Sequence, residues 1–117
     1  MTYKFFDTNS FIPLQLKDLD GFQPVISSIT FQELNHFKGL QQDKIQKCEI
    51  WNYEEKMVIP VLSVTGLTKI TNDLKILACA FDYDHNAHPD ETIFVTSNPQ
   101  LGEIANRLFG EDSIEII

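Results

Sequence analysis

The stretch TIFVTSNPQLGEIANRLFG, residues 92–110, constrains the fold more than any other part of the chain. A run rich in β-branched and aromatic side chains passes through a Thr-Ser-Asn cluster into a segment of helical spacing. Pro99 stands in the first turn of that segment and Gly110 just past its end. The rest of the chain repeats this alternation of strand and helix. YKFF reads as a short strand ending at Asp7, and SFIPLQLKDLDGF as a connection with a helical turn, interrupted by Pro13 and closed by Gly21. PVISS (24–28) is a second strand, and TFQELNHFK starts a helix at Thr30 that should stop near Gly39. DKIQKCEIWNYEEK (43–56) has three- and four-residue apolar spacing, which predicts an amphipathic helix. MVIPVLSV is rich in strand formers, but Pro60 cannot donate to a ladder and assigns it to an edge or a break. TNDLKILACAF places Leu74, Leu77, Ala78 and Phe81 on one helical face, and SIEII closes the chain as a last strand. Such alternation predicts an α/β domain: a three-layer α/β/α sandwich around a largely parallel sheet.

The length of 117 residues suits one domain, 1–117, with a single core, and a hydrophobic fraction of 43% argues against disorder. The apolar runs are far shorter than the ~20 residues that cross a bilayer. No signal-peptide pattern follows Met1, so the expected location is cytoplasmic, without a membrane partner. Cys48 and Cys79 form no CxxC pair and sit among apolar neighbours in segments of helical character, the setting of small buried hydrophobes rather than a disulfide. Seventeen acids against nine bases give a net charge of −8. That excludes a protein gripping nucleic acid through a broad basic surface, but not an enzyme that reaches phosphates through cations held by carboxylates.

Parallel sheets place their sites where strands end and helices begin. Four such junctions carry polar groups. Asp7 ends the first strand, where Asp commonly closes a turn. Glu33 follows Thr30 by three residues, and TFQE has the form of a capping box. Asp73 falls in the first turn of a helix capped by Thr71 or Asn72, favoured there by the helix dipole. Thr96, Ser97 and Asn98 end the clearest strand as an N-cap cluster. Each has a local structural explanation when taken alone. Together, the sheet brings them to one edge, where three carboxylates repel unless a divalent cation or protons compensate them. Oxygen donors of this kind suit Mg²⁺ or Mn²⁺.

These residues resemble the PIN-domain family of metal-dependent nucleases over nearly the whole chain. The resemblance rests on FFDTN at Phe5–Asn9, SSITFQEL with Glu33, NDLKILACA with Asp73, and IFVTSNPQLGEIA. It implies an α/β/α sandwich whose acidic pocket binds one or two Mg²⁺ or Mn²⁺ ions and hydrolyses phosphodiesters, usually in RNA, with single-stranded DNA as a further substrate. By motif position, Asp7, Glu33 and Asp73 would be the catalytic, metal-binding acids. Thr96 would match the family's hydroxyl position, and Asn9 would orient a neighbouring ligand. Asn98 stands where the family usually carries a fourth acid, a departure that weakens the second metal position and sets a catalytically weakened binding or interaction module against the active ribonuclease. Small proteins similar to this family often pair, as toxins, with an antitoxin, and some form homodimers; others process RNA.

Other motifs carry less. DYDHNAHPDE (82–91) offers His85, His88, Asp84 and Asp90 at spacings a zinc site can use, but Asn86 and Pro89 predict a solvated acidic loop. His36, beside Phe37, reads as a packing or surface residue. A haloacid-dehalogenase-like phosphatase needs an acid two residues after the first, where this chain has Asn9. A receiver domain needs a late lysine after a strand, and none follows IFVTS.

Overall fold

Every strand pairing is parallel in the computed structural model, which describes residues 1–37, 39, 41–87 and 91–117. The strands are β1 (Thr2–Phe6), β2 (Gln23–Ser27), β3 (Glu49–Trp51), β4 (Glu91–Thr96) and β5 (Ile114–Ile116), in the spatial order β3-β2-β1-β4-β5. Neighbouring residues of the central strands are buried on opposite faces: Phe5 and Phe6, Val25 and Ile26, Phe94 and Val95. This double burial explains why these strands read as continuous apolar runs.

One face, carrying Phe5, Val25 and Phe94, is covered by α4 (Val58–Thr65), α5 (Asn72–Asn86) and α6 (Pro99–Phe109). The other, carrying Phe6, Ile26 and Val95, packs against Phe11 of α1 (Thr8–Phe11), Leu34 of α2 (Ser28–Leu34) and Ile45 of α3 (Gln42–Lys47). Leu19, from a 3-10 turn at Leu16–Leu19, completes that second cluster. Truncating a central ring such as Phe5 to alanine costs about 3–5 kcal/mol in a packed core. The α/β/α sandwich expected from the sequence is the observed fold. Among the described residues, no helix is long and apolar enough to cross a membrane.

Helix α2 starts at Ser28 and ends at Leu34, earlier at both ends than the expected Thr30 to near Gly39, and two further elements differ in kind from the sequence expectation. MVIPVLSV is not a strand: Val58–Thr65 is helix α4. Pro60 stands third in that helix, where its missing N–H had no intrahelical acceptor to lose. Burial of Met57, Val58 and Val61 against α5 overrides the β-branched propensity, and Gly66 ends the helix at φ 72°, its N–H donating to Leu62 O at 2.9 Å. The helix predicted over 43–56 breaks instead at Cys48, whose backbone is extended, and Glu49–Trp51 continues as edge strand β3. Helix α5 holds it there, with Tyr83 Oη donating to Glu49 at 2.9 Å and Trp51 Nε1 to Asp82 at 2.9 Å.

Chain direction along the sheet reverses at the centre. From β1 the chain builds outward through β2 to β3, then crosses back to lay β4 on the other flank of β1. The carboxyl ends of β1 and β4 therefore border the crevice in which such sheets bind ligands. Asp7 and Thr96 stand there.

Candidate functional site

Asp7 continues the β1–β4 ladder one residue past the strand, its N–H donating to Val95 O at 3.1 Å, before the chain turns into α1. Its side chain caps that helix: Oδ1 accepts from the Ser10 N–H at 2.9 Å. Oδ2 accepts from the Thr96 hydroxyl at 2.5 Å. The local reading of Asp7 as a cap and its placement in the crevice thus both hold. At 3% exposure the carboxylate is buried, and these two donors take the place of water. Ser10, also buried, points its hydroxyl at the carbonyls of Asp7 and Val95, both at 3.0 Å, locking the turn to β4. The far end of α1 is fixed from α3, where the buried Lys44 ammonium donates to Phe11 O at 2.8 Å and Ile12 O at 3.0 Å. Burial pushes that lysine's pKa down from 10.5, partly offset by Cys48 and Asp18.

The capping box expected at Thr30 is not formed. Ser27 is the N-cap of α2 and accepts from the Thr30 N–H at 3.1 Å, because Ser27 leaves β2 with extended backbone and the helix starts at once. Glu33 does not reach back to Thr30. Its Oε1 accepts instead from the Thr8 hydroxyl at 2.8 Å, which ties α2 to the residue following Asp7.

Asp73 lies in the first turn of α5, where Thr71 is the N-cap and accepts from Leu74 N–H at 3.2 Å. Its carboxyl is held above the usual range, first by burial of the group in the crevice and then by the charges of Asp7 and Glu33. The residue as a whole remains exposed, so the solvent screens much of this repulsion. Asp73 still feels the charges of both Asp7 and Glu33. Among the described residues, no three His, Cys, Asp or Glu side chains are drawn together tightly enough to hold a metal ion as they stand.

Thr96 links the fourth junction to the first. Its hydroxyl, fully buried, donates to Asp7 and accepts from the Asn98 N–H at 3.0 Å. Asn98 is the N-cap of α6: its Oδ1 accepts from Gln100 N–H at 3.0 Å and from Leu101 N–H at 3.4 Å. The amide oxygen is therefore engaged by the helix it caps. Asp73 and Asn98 line one depression of about 260 Å³, with Lys69, Leu101 and Ile104, whereas Glu33 lines a second of about 540 Å³.

Asn9 stays exposed on α1, and among the described residues the hydrogen bonds to the Asp7 carboxylate come from Ser10 and Thr96. Of the residues that position the acids, Thr30 was read as a cap, whereas Thr8, Ser10 and Ser27 were not singled out by sequence. Their signal was present as hydroxyl-rich junctions, DTNS and SSIT, directly after apolar runs. The acidic segment after Phe81 is not a loop over its first part, since α5 runs on to Asn86; Asp82 there accepts from Trp51 and Asn86, away from the crevice. His85 packs on Phe81, while His88, Pro89 and Asp90 lie outside the described residues.

No family model and no curated protein matches the chain. Among solved structures, the fold is similar to the crystal structure of VapBC2 from Rickettsia felis bound to a DNA fragment from their promoter. The match has a TM-score of 0.62, covers 99% of this chain and 98% of that chain, and carries 21% sequence identity. At that identity the likeness bears on the fold, and it agrees with the α/β/α sandwich implied by the PIN resemblance.

Proposed function

We propose that this chain is a divalent-metal-dependent phosphodiester hydrolase of PIN type, acting on RNA. The observation that carries the reading is the placement of three carboxylates around the sheet's crossover crevice: Asp7 held by Thr96, Glu33 held by Thr8, and Asp73 in the first turn of α5, where burial first and then the charges of Asp7 and Glu33 raise its pKa. All the donors are hard oxygens and their charges repel, a set that fits Mg²⁺ or Mn²⁺. Asp7, Glu33 and Asp73 would hold the ion, which supplies Lewis acidity at the phosphate and lowers the pKa of the attacking water.

The chain's own groups divide the remaining work. Asp7 is oriented by Thr96 and Ser10, so its carboxylate need not reorganise when substrate arrives. Glu33 has Oε1 tied to Thr8 and keeps Oε2 for the cation or for the proton of the attacking water. Thr96 fixes the end of β4, so the start of α6 stays in register with Asp7. The likeness to VapBC2, solved on promoter DNA, supports a protein partner of antitoxin type or a nucleic-acid contact for this chain, and a homodimer is compatible with either.

One observation favours a second reading, a binding module with weakened or absent catalysis. Asn98 occupies the expected fourth acid position and spends its side-chain oxygen on the cap of α6. Asn98→Asp separates the two readings, because aspartate caps a helix as well as asparagine does and adds the missing charge.

The deciding assay is cleavage of end-labelled RNA and single-stranded DNA in Mn²⁺, with EDTA, Asp7→Asn and the exposed-site variant Asp73→Asn as controls. Metal-dependent cleavage by wild type, lost in both variants and increased by Asn98→Asp, is expected. A Mn²⁺-dependent rise in Tm that Asp73→Asn abolishes gives a readout independent of turnover. No cleavage above the Asp7→Asn background, even with Asn98→Asp, rejects the enzyme and leaves the binding module.

A further inference from the structure

The polar groove of about 540 Å³ that Glu33 borders extends away from Asp7 and is lined by Gln32, His36, Tyr53, Asn72 and Lys75 among others. Its floor is anchored. The Tyr53 N–H donates to Ser28 Oγ at 2.9 Å, fixing the segment after β3 to the first residue of α2. The Tyr53 ring is half-buried, with the Lys75 ammonium 5.8 Å from its centroid. Lys75 projects from α5 two residues beyond Asp73.

Most other lysines are already engaged. Lys4, Lys47 and Lys56 pair with Glu115, Asp20 and Glu54, and Lys44 is buried against carbonyls. Lys75 ion-pairs with no carboxylate among the described residues, in a chain of net charge −8. An anchored aromatic face, a cation above it and the amides of Gln32 and Asn72 on its rim form a combination suited to one nucleotide. The ring can stack a base, the ammonium can meet a phosphate, and the amides can meet base edges. A duplex does not fit this chemistry, since its bases are stacked on one another and cannot reach the ring. Glu33 and Glu55, which also line the groove, oppose phosphate there, so binding must draw on stacking more than on charge. The Tyr53 phenol is pushed up by burial and then by Glu55 and Cys79, which keeps the ring neutral.

We infer that this groove takes one unpaired nucleotide beside the reacting phosphate, its base on Tyr53 and its phosphate at Lys75. The choice of ligand rests on the nuclease reading, but the test does not require cleavage.

Fluorescently labelled single-stranded RNA, and the same sequence in a duplex, are titrated by anisotropy with wild type, Tyr53→Ala, Tyr53→Phe and Lys75→Ala, in EDTA and again in Ca²⁺. Circular dichroism and Tm verify that each variant folds. Wild type should prefer the single strand at least tenfold. Tyr53→Ala should weaken binding about tenfold, and Tyr53→Phe should hold it within twofold, since the ring and not the hydroxyl does the stacking. Lys75→Ala should weaken binding about threefold and lower the salt slope by about one ion. No wild-type binding in either buffer, preference for the duplex, or equal binding by Tyr53→Ala overturns the inference. Parallel Mn²⁺ cleavage assays separate it from the enzyme reading. The expected binding pattern without cleavage sinks the nuclease and leaves the groove; cleavage with KM unchanged in Tyr53→Ala sinks the groove and leaves the nuclease.

Discussion

The hydroxyl of Thr8 donates to Glu33 Oε1 at 2.8 Å while lying 3.0 Å from the hydroxyl of Thr30. Proton counting fixes the direction of the whole chain of bonds. Thr8 has one proton and gives it to the carboxylate, so Thr30 must donate to Thr8. The Thr30 oxygen is then free to accept from Ser27 Oγ, at 3.3 Å. Ser27 in turn accepts from the Thr30 N–H as the cap of α2. Three hydroxyls thus run one way from the end of β2 to Glu33, and Thr8 joins that line to the turn carrying Asp7.

Thr8→Val breaks the line at its last link and leaves the buried Thr30 hydroxyl without an acceptor. A loss of about 1–2 kcal/mol in unfolding free energy is expected, the cost of an unmet buried hydroxyl. Thr8→Ser should stay within about 0.5 kcal/mol of wild type. Urea unfolding with unchanged m-values measures both. In the Mn²⁺ cleavage assay, Thr8→Val should lower kcat more than Thr8→Ser does, because Glu33 loses its tether.

Thr96→Val should be the more damaging substitution. It removes a donor from the buried carboxylate of Asp7 and an acceptor from the Asn98 N–H at once. Hydrogen bonds to charged groups contribute about 1.5–3 kcal/mol, so a loss of about 2–3 kcal/mol is expected. Thr96→Ser should recover most of it. Equal stability of the valine and serine variants would show that the hydroxyl bridge is dispensable.

The order of strands and helices was legible because buried parallel strands must be apolar on both faces, and because β1, β2 and β4 each end in polar residues that start a helix. The misread elements are those in which tertiary contact overrules local preference. Val58–Thr65 has strand-forming side chains but a core that wants a helix beneath them. Glu49–Trp51 continues the helical spacing of Ile45 and Cys48, yet Tyr83 and Asp82 hold it as an edge strand. The acids of the candidate site were legible by position. Their supports were not, because two cap candidates, Ser27 and Thr30, compete in SSIT, and only the extended backbone with which Ser27 leaves β2 decides between them.

Cys48 and Cys79 should be nearly inert in the native protein. Burial pushes both thiols up to about 12, and each Sγ faces a backbone carbonyl, of Lys44 and Trp51 respectively. At pH 8 roughly one thiol in ten thousand is then ionised, and the thiolate is the reactive form. Reaction with a disulfide reagent at pH 8 should be at least 100-fold slower than for free cysteine. Both thiols should react at ordinary rates in 8 M urea. Fast native labelling of either would contradict the packing of α3 or α5.

Asp73→Asn tests the electrostatics of the crevice without reference to turnover. The folded pKa of Asp73 is raised above 3.8, so the folded state binds its proton more tightly than the unfolded chain does. The stability contributed by this group is therefore present below pH 3.8 and is lost as pH rises through the folded value. Asparagine carries no such dependence. The difference in unfolding free energy between Asp73→Asn and wild type should grow in favour of the variant across the mildly acidic range and level off by neutral pH. Because the residue is exposed, the plateau should be only about 0.5 kcal/mol, the scale of screened surface charges. Adding Mn²⁺ at neutral pH should reverse the order, since a cation among the acids stabilises wild type by mass action and the variant lacks one of its ligands. Urea titrations at several pH values, with and without Mn²⁺, read both effects. A variant less stable than wild type in EDTA at neutral pH would mean that Asp73 makes favourable contacts outweighing its repulsion from Asp7 and Glu33.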